Sequence, residues 1–148
     1  MGKYLVHFGI KEGRETKSGV MVPVNYDFWI PLFSYFIKKC THFRVDCWED
    51  ENEAIERAGI FGQAVDTDID NMRVFQGQIT DKFMQELLHN PFDKEGKIKW
   101  FSIFLMNGKE HIILSEHYGS EFQAEGLTYD DVEYIRSTIP KDFTFYVC

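Results

Sequence analysis

The chain has 148 residues, of which 44% are apolar and 16% aromatic; one ordinary domain fills that length, and such a composition excludes global disorder. Its 24 acidic and 16 basic residues leave a net charge of −8, the wrong sign for the basic face on which nucleic-acid binding depends. The longest apolar run, FWIPLFSYFI at 28–37, is about half of the ~20 residues needed to span a bilayer, so no membrane association is expected.

The opening MGKYLVHFGIKEGRE carries one base before a short apolar run and no cleavage region, which does not match a secretory signal. Within it, 3–10 reads as a strand. The polar run 11–18 reads as a loop and GVMVPV at 19–24 as a second strand, the two strands forming a first hairpin. In 25–40, Trp29, Leu32, Phe33, Phe36, Ile37 and Cys40 recur at helical spacing, with Pro31 tolerated near the start. HFRVDCW at 42–48 alternates like a strand.

The next stretch, 46–70, is the most unusual of the chain. It holds nine carboxylates (Asp46, Glu49, Asp50, Glu51, Glu53, Glu56, Asp66, Asp68 and Asp70) against one base, Arg57. Elsewhere 15 acids meet 15 bases, so the entire net charge sits in these residues. Its first half predicts a helix: Asp50 is placed to cap it with Glu53 three residues on, Ala54, Ile55, Ala58 and Phe61 make an apolar stripe, and Glu53 and Arg57 form an i,i+4 pair.

MRVFQGQI at 72–79 reads as a strand, and TDKFMQELLHN as a helix capped by Thr80, stapled by Ile79 and Met84 and ended before Pro91. In the following hairpin, Asn107-Gly108 is the turn signal. With these two as the loop, Ile103 faces Ile112 and Phe101 faces Leu114, which puts Phe101, Ile103, Leu105, Ile112 and Leu114 on the core face. Trp100, Phe104, Met106, His111, Ile113 and His117 then fall on the other face. LTYDDVEYIRST repeats the capping grammar with Thr128, Asp131, Leu127 and Val132, and FTFYV at 143–147 reads as a last strand. No linker divides the chain. The expectation is a single α+β domain over 1–148, with a largely antiparallel sheet of about five to seven strands and helices packed on one face.

Catalytic and metal motifs are sought with little return. DTDIDN at 66–71 opens like a calcium-binding loop and Asn71 can take the left-handed turn, but Gly77 stands where a bidentate glutamate is required. His111 and His117 lie too far apart along a strand to share a metal. Cys40 and His42 suggest a thiol beside an imidazole, against the plainer reading of a buried cysteine ending a helix. No glycine-rich phosphate loop or nucleophile elbow is present. No cofactor, metal or catalytic residue is therefore expected. The odd set Cys40, Cys47 and Cys148, without a CxxC pair, suits reduced thiols in a cytoplasmic protein.

Helix-terminus and pairing effects are worth only about 0.3 to 1 kcal/mol each and account for a few of the nine carboxylates. The surplus points to a basic protein partner, steered by charge and anchored by Trp48 and Phe61 beside the acids. Acidic, aromatic-rich proteins of this class include inhibitors that cover the cationic cleft of a nuclease or toxin, as immunity proteins do. The competing reading is a small-molecule-binding domain or enzyme with a pocket lined by Trp100, Phe104, His111 and Tyr118. A third is a homo-oligomer that hides the second hairpin face.

Overall fold

The structure, a computed structural model, describes residues 2–148. Strands β1 (Tyr4–Gly9), β2 (Arg14–Glu15) and β3 (Met21–Val22) precede helix α1 (Trp29–Ile37). Strand β4 (His42–Trp48) leads into α2 (Asn52–Phe61), then β5 (Gln63–Val65), β6 (Met72–Gln78) and α3 (Asp81–His89). The C-terminal part comprises β7 (Ser102–Asn107), β8 (Glu110–Glu116), β9 (Glu121–Leu127), α4 (Tyr129–Thr138) and β10 (Thr144–Val147). Eight strands make one antiparallel sheet in the order β10-β1-β9-β8-β7-β4-β6-β5, and β2 with β3 forms a separate ribbon. This is the expected α+β architecture with more strands than the five to seven foreseen.

The helices cover one face of the sheet. Val6, Phe8, Phe122, Ala124, Ile113, Ile103, Leu105, Phe43 and Val45 supply the strand side of the core; Trp29, Leu32, Phe33, Phe36, Phe83, Leu87, Val132 and Ile135 supply the helix side. Phe43 stacks on Phe83 with centroids 3.9 Å apart, a pairing worth about 1 kcal/mol beyond the area it buries. The polar edges of the buried indoles are satisfied: Trp29 Nε1 donates to the Leu87 carbonyl at 2.8 Å and Trp100 Nε1 to the Ala54 carbonyl at 3.0 Å. On the opposite face a row of paired positions runs across the whole sheet, through Tyr146, His7, Gln123, Leu114, Phe104, Arg44, Gln76 and Gln63.

Two helix starts are built as their sequences predict. The Thr80 hydroxyl accepts from the Phe83 amide at 3.1 Å. Thr128 and Asp131 complete a reciprocal capping box, each side chain accepting from the other's backbone N–H. Helix α2 departs from expectation. Its N-cap position is Glu51, not Asp50, and no side chain caps it, because the Glu51 carboxylate is taken by other donors.

The first-hairpin expectation is corrected. β1 lies between β10 and β9, so both of its edges are filled by strands from the far end of the chain, and Met21–Val22 pairs with Arg14–Glu15 instead. The second hairpin turns one residue later than expected. Asn107 pairs with Glu110, leaving Gly108 and Lys109 as the loop; Gly108 has φ 62°, the conformation glycine adopts without strain. A further register shift beside Leu105 and Met106 makes Ile112 an extra residue. In consequence Leu105 faces Ile113 and Ile103 faces Ser115 on the core side, while Leu114 joins Phe104 on the open face.

Candidate functional site

The acidic stretch spans β4 to β6, and the topology decides where its side chains go. β4 ends at Trp48 opposite Met72, the first residue of β6, and β5 ends at Val65 opposite Val74. The segments 49–51 and 66–71 therefore leave the sheet at the same end. The Glu49 amide ties them together by donating to the Asn71 carbonyl at 2.8 Å, and Asn71 takes the left-handed conformation with φ 64°. Helix α2 starts at this end and runs away from it.

Seven of the nine carboxylates, Glu49, Asp50, Glu53, Glu56, Asp66, Asp68 and Asp70, are exposed. Among the described residues none of these seven has a side-chain hydrogen bond or ion pair. Six leave from the sheet end or the first turn of α2; Glu56 follows one turn along the helix. The other two are withdrawn from this surface. Asp46 is 4% exposed and receives Arg44 Nε at 2.8 Å and Nη2 at 3.2 Å, since residues two apart on a strand share a face. Burial raises its pKa and Arg44 opposes that rise. Glu51 accepts from the Trp48 amide at 2.7 Å and the Tyr118 hydroxyl at 2.8 Å, which locks the corner between β4 and α2.

The pair foreseen between Glu53 and Arg57 is not made. Arg57 reaches across to α3, donating to Glu86 through Nε at 2.8 Å and Nη2 at 2.7 Å. Glu86 also receives Lys99 Nζ at 2.6 Å and Asn90 Nδ2 at 3.2 Å. Burial alone would raise the Glu86 pKa, but these donors hold it down at about 2. Lys99, 2% exposed in its side chain, has its pKa lowered by burial even though Glu86 pulls it upward.

Of the two anchors named from sequence, Trp48 is half-buried at the acidic end with its ring 4.9 Å from Phe101. Phe61 lies at the far end of α2, against Phe83 and under the Arg57 guanidinium. Ten residues of helix place it about 15 Å from the cluster at the helix start, so it is not part of that surface. The four residues of the hairpin pocket are likewise not brought together. Trp100 is fully buried against Phe83 and beneath α2. Phe104 lies on the open face edge-on to an exposed His111. Tyr118 borders a cavity. His117 sits on a turn 3.5 Å from Glu121. Cys40 Sγ donates to the Phe36 carbonyl, while His42 Nδ1 lies 2.8 Å from Thr41 Oγ1, so thiol and imidazole are each engaged elsewhere. Among the described residues no three His, Cys, Asp or Glu side chains converge as a metal site.

The cavity that Tyr118 borders is a cleft of about 530 Å³ beside the acidic end, lined among others by Trp48, Asp50, Glu51, Glu53, Lys97 and Tyr118. His117, Tyr118 and Gly119 have consecutive φ values of 51°, 59° and 73°, and strain of this kind persists only where surroundings enforce it. Here they do: Tyr26 Oη donates to the Tyr118 carbonyl at 2.8 Å, and a Cβ at Gly119 would come within 2.8 Å of Ile98. Burial first, and then the bond to Glu51, push the Tyr118 pKa upward. Lys97 and Lys99 are not among the candidate site residues read from sequence. All four residues of KIKW at 97–100 are buried, and each ammonium meets a carboxylate, Lys97 on Asp93 and Lys99 on Glu86.

No protein-family model matches this chain, and no curated protein or solved structure matches it either. Among the described residues no helix is long and apolar enough to cross a membrane.

Proposed function

We propose that this chain is a non-enzymatic binding domain that takes a basic protein on the acidic end of its sheet, as an inhibitor or immunity protein covers the cationic cleft of a toxin or nuclease. The observation that carries this reading is the set of seven exposed carboxylates that have no partner among the described residues, six of them gathered where β4 ends and β6 begins. Like charges held this close raise one another's energy, and a cationic surface relieves that repulsion on docking. The acids would speed and select encounter, while affinity would come from desolvated anchors. Trp48 and the exposed Ile69 and Val65 stand among them. The unpaired thiols of Cys40, Cys47 and Cys148 accord with a cytoplasmic setting.

The test is capture from the native source at low salt, using the wild-type protein and a variant carrying Glu49→Lys, Asp66→Lys, Asp68→Lys and Asp70→Lys. The wild type should retain a basic protein that salt of about 0.5 M releases, and the variant should not. Recovery of the same proteins by both would reject the reading.

A further inference from the structure

We infer that the sheet face left open by the helices is a homodimer interface, covered by a second copy of this chain lying face to face with the first. This goes beyond the basic partner proposed above, which uses the end of the sheet and not its face.

An antiparallel sheet with one face in water alternates apolar inward and polar outward. This sheet keeps that rule at its margins, where His7, Gln123, Gln76 and Gln63 point to the open side. It breaks it in the middle. The two central strands present Phe104 and Met106 from β7 and Leu114 from β8, and all three stand apart from the helix-covered core. Each is only half-buried within one copy, so apolar surface remains in water that a second layer would remove.

The extent of the face suits a dimer. Asp66 to Ile69 border a recess with Arg44, and Val74 and Asp46 on that side are buried, so loop 66–69 bounds the face there. Six strands, β10 to β4, remain. At ~4.8 Å between strands and ~3.3 Å per residue, six strands of about six residues cover roughly 29 by 20 Å, or about 600 Å² per copy. Two copies together approach the ~1,200 Å² at which stable specific interfaces begin.

The face also complements itself, as a two-fold contact requires. Across these strands the row reads Tyr146, His7, Gln123, Leu114, Phe104 and Arg44, and its one fixed charge, Arg44, is neutralised by Asp46 in its own copy. Glu116 and Glu121 fall at strand ends, on the rim, and Glu125 accepts from Gln123 Nε2 at 3.3 Å. A strongly charged partner therefore finds no counterpart here, whereas a copy turned end over end lays Leu114 on Leu114 and Phe104 on Phe104. The same turn sends the two acidic ends to opposite edges of the dimer, which keeps their carboxylates apart.

Sedimentation velocity of the full chain, from about 1 to about 200 µM, should show a species of twice the 17.5 kDa chain mass with a micromolar Kd. Leu114→Lys/Phe104→Lys, checked for an intact melting transition, should weaken association at least ~30-fold, as loss of central interface side chains does. Nitroxide labels identify the face even if that variant does not fold. With Cys148→Ser, a label at Gln123→Cys should lie within about 30 Å of its counterpart, since packed sheets are ~10 Å apart, and one at Gln85→Cys on α3 beyond about 40 Å. A chain that stays monomeric at about 200 µM, a folded double variant that associates as tightly as wild type, or a shorter distance at Gln85 than at Gln123 would overturn the assignment.

Discussion

Replacing Glu86 with glutamine should be among the most damaging single changes in the molecule. Glu86 is 5% exposed and accepts from Arg57, Lys99 and Asn90. Removing its charge leaves the Lys99 ammonium, 2% exposed in its side chain, without its counter-ion, a lesion that costs about 3 to 5 kcal/mol in buried pairs. The titration of the carboxyl gives a second route to the magnitude. Its pKa falls from an ordinary 4.5 to about 2 on folding, and at about 1.4 kcal/mol per pH unit this corresponds to about 3 kcal/mol. Because the folded value is the lower one, this contribution is complete above about pH 5.5 and disappears as the pH falls toward 2. Urea denaturation of wild type and Glu86→Gln at pH 7, 4.5 and 3 measures it. The gap should be about 3 kcal/mol at pH 7 and should narrow steadily with acid. A gap below about 1 kcal/mol at pH 7, or one that does not change with pH, would refute the network as the source of stability. Glu53→Gln is the internal control: with Arg57 committed to Glu86, it should cost less than about 0.5 kcal/mol.

Asp131→Asn should show the same sign of pH dependence. Donors from Lys39, Tyr35 and the Thr128 backbone overcome burial and hold this carboxyl at about 2, so a loss of about 2 kcal/mol at pH 7 should fade as acid titrates the wild type. Asp66→Asn/Asp68→Asn/Asp70→Asn should leave the melting temperature unchanged or raise it at low salt, with no difference in about 0.5 M salt; a clear drop would mean the loop acids are structural. Gly119→Ala should destabilise by more than the ~1 kcal/mol of an ordinary left-handed glycine, because φ is 73° and the added Cβ meets Ile98 at 2.8 Å; chemical denaturation would read this out. Cys148 is exposed and should be modified by a thiol reagent within minutes in the native state. Cys40 and Cys47, pushed up to about 12 by burial, should react only on unfolding.

Local chemistry was legible in the linear chain. Thr80 and Thr128 cap the helices their sequences announce, and the apolar spacing at Trp29, Leu32, Phe33, Phe36 and Ile37 marks the face that α1 buries. Such signals act within one helical turn, so neighbours in sequence suffice to read them. β9 escaped notice, because in EFQAEGL only Phe122, Ala124 and Leu127 carry its buried side. β5 is three residues long and exposed throughout, too little for any periodicity to register. The hairpin turn was located to within one residue, a step that by itself would set Leu114 opposite Ile103 and keep it on the core face; the bulge beside Leu105 is what moved Leu114 to the opposite face, since one extra residue inverts the alternation of side chains along a strand.

The charge imbalance of 46–70 was a property of composition, readable without coordinates. Which of those carboxylates meet solvent was settled by contacts between residues distant in the chain. Arg57 finds Glu86 at a separation of 29 residues and Tyr118 finds Glu51 at 67, whereas Asp46 is neutralised by Arg44 only because the sheet buries them together. The cleft belongs wholly to the tertiary level, its walls coming from the β4–α2 corner, the segment around Lys97 and the turn at Tyr118. A sequence sets which charges a chain carries; their pairing and exposure depend on distance through space, which folding alone establishes.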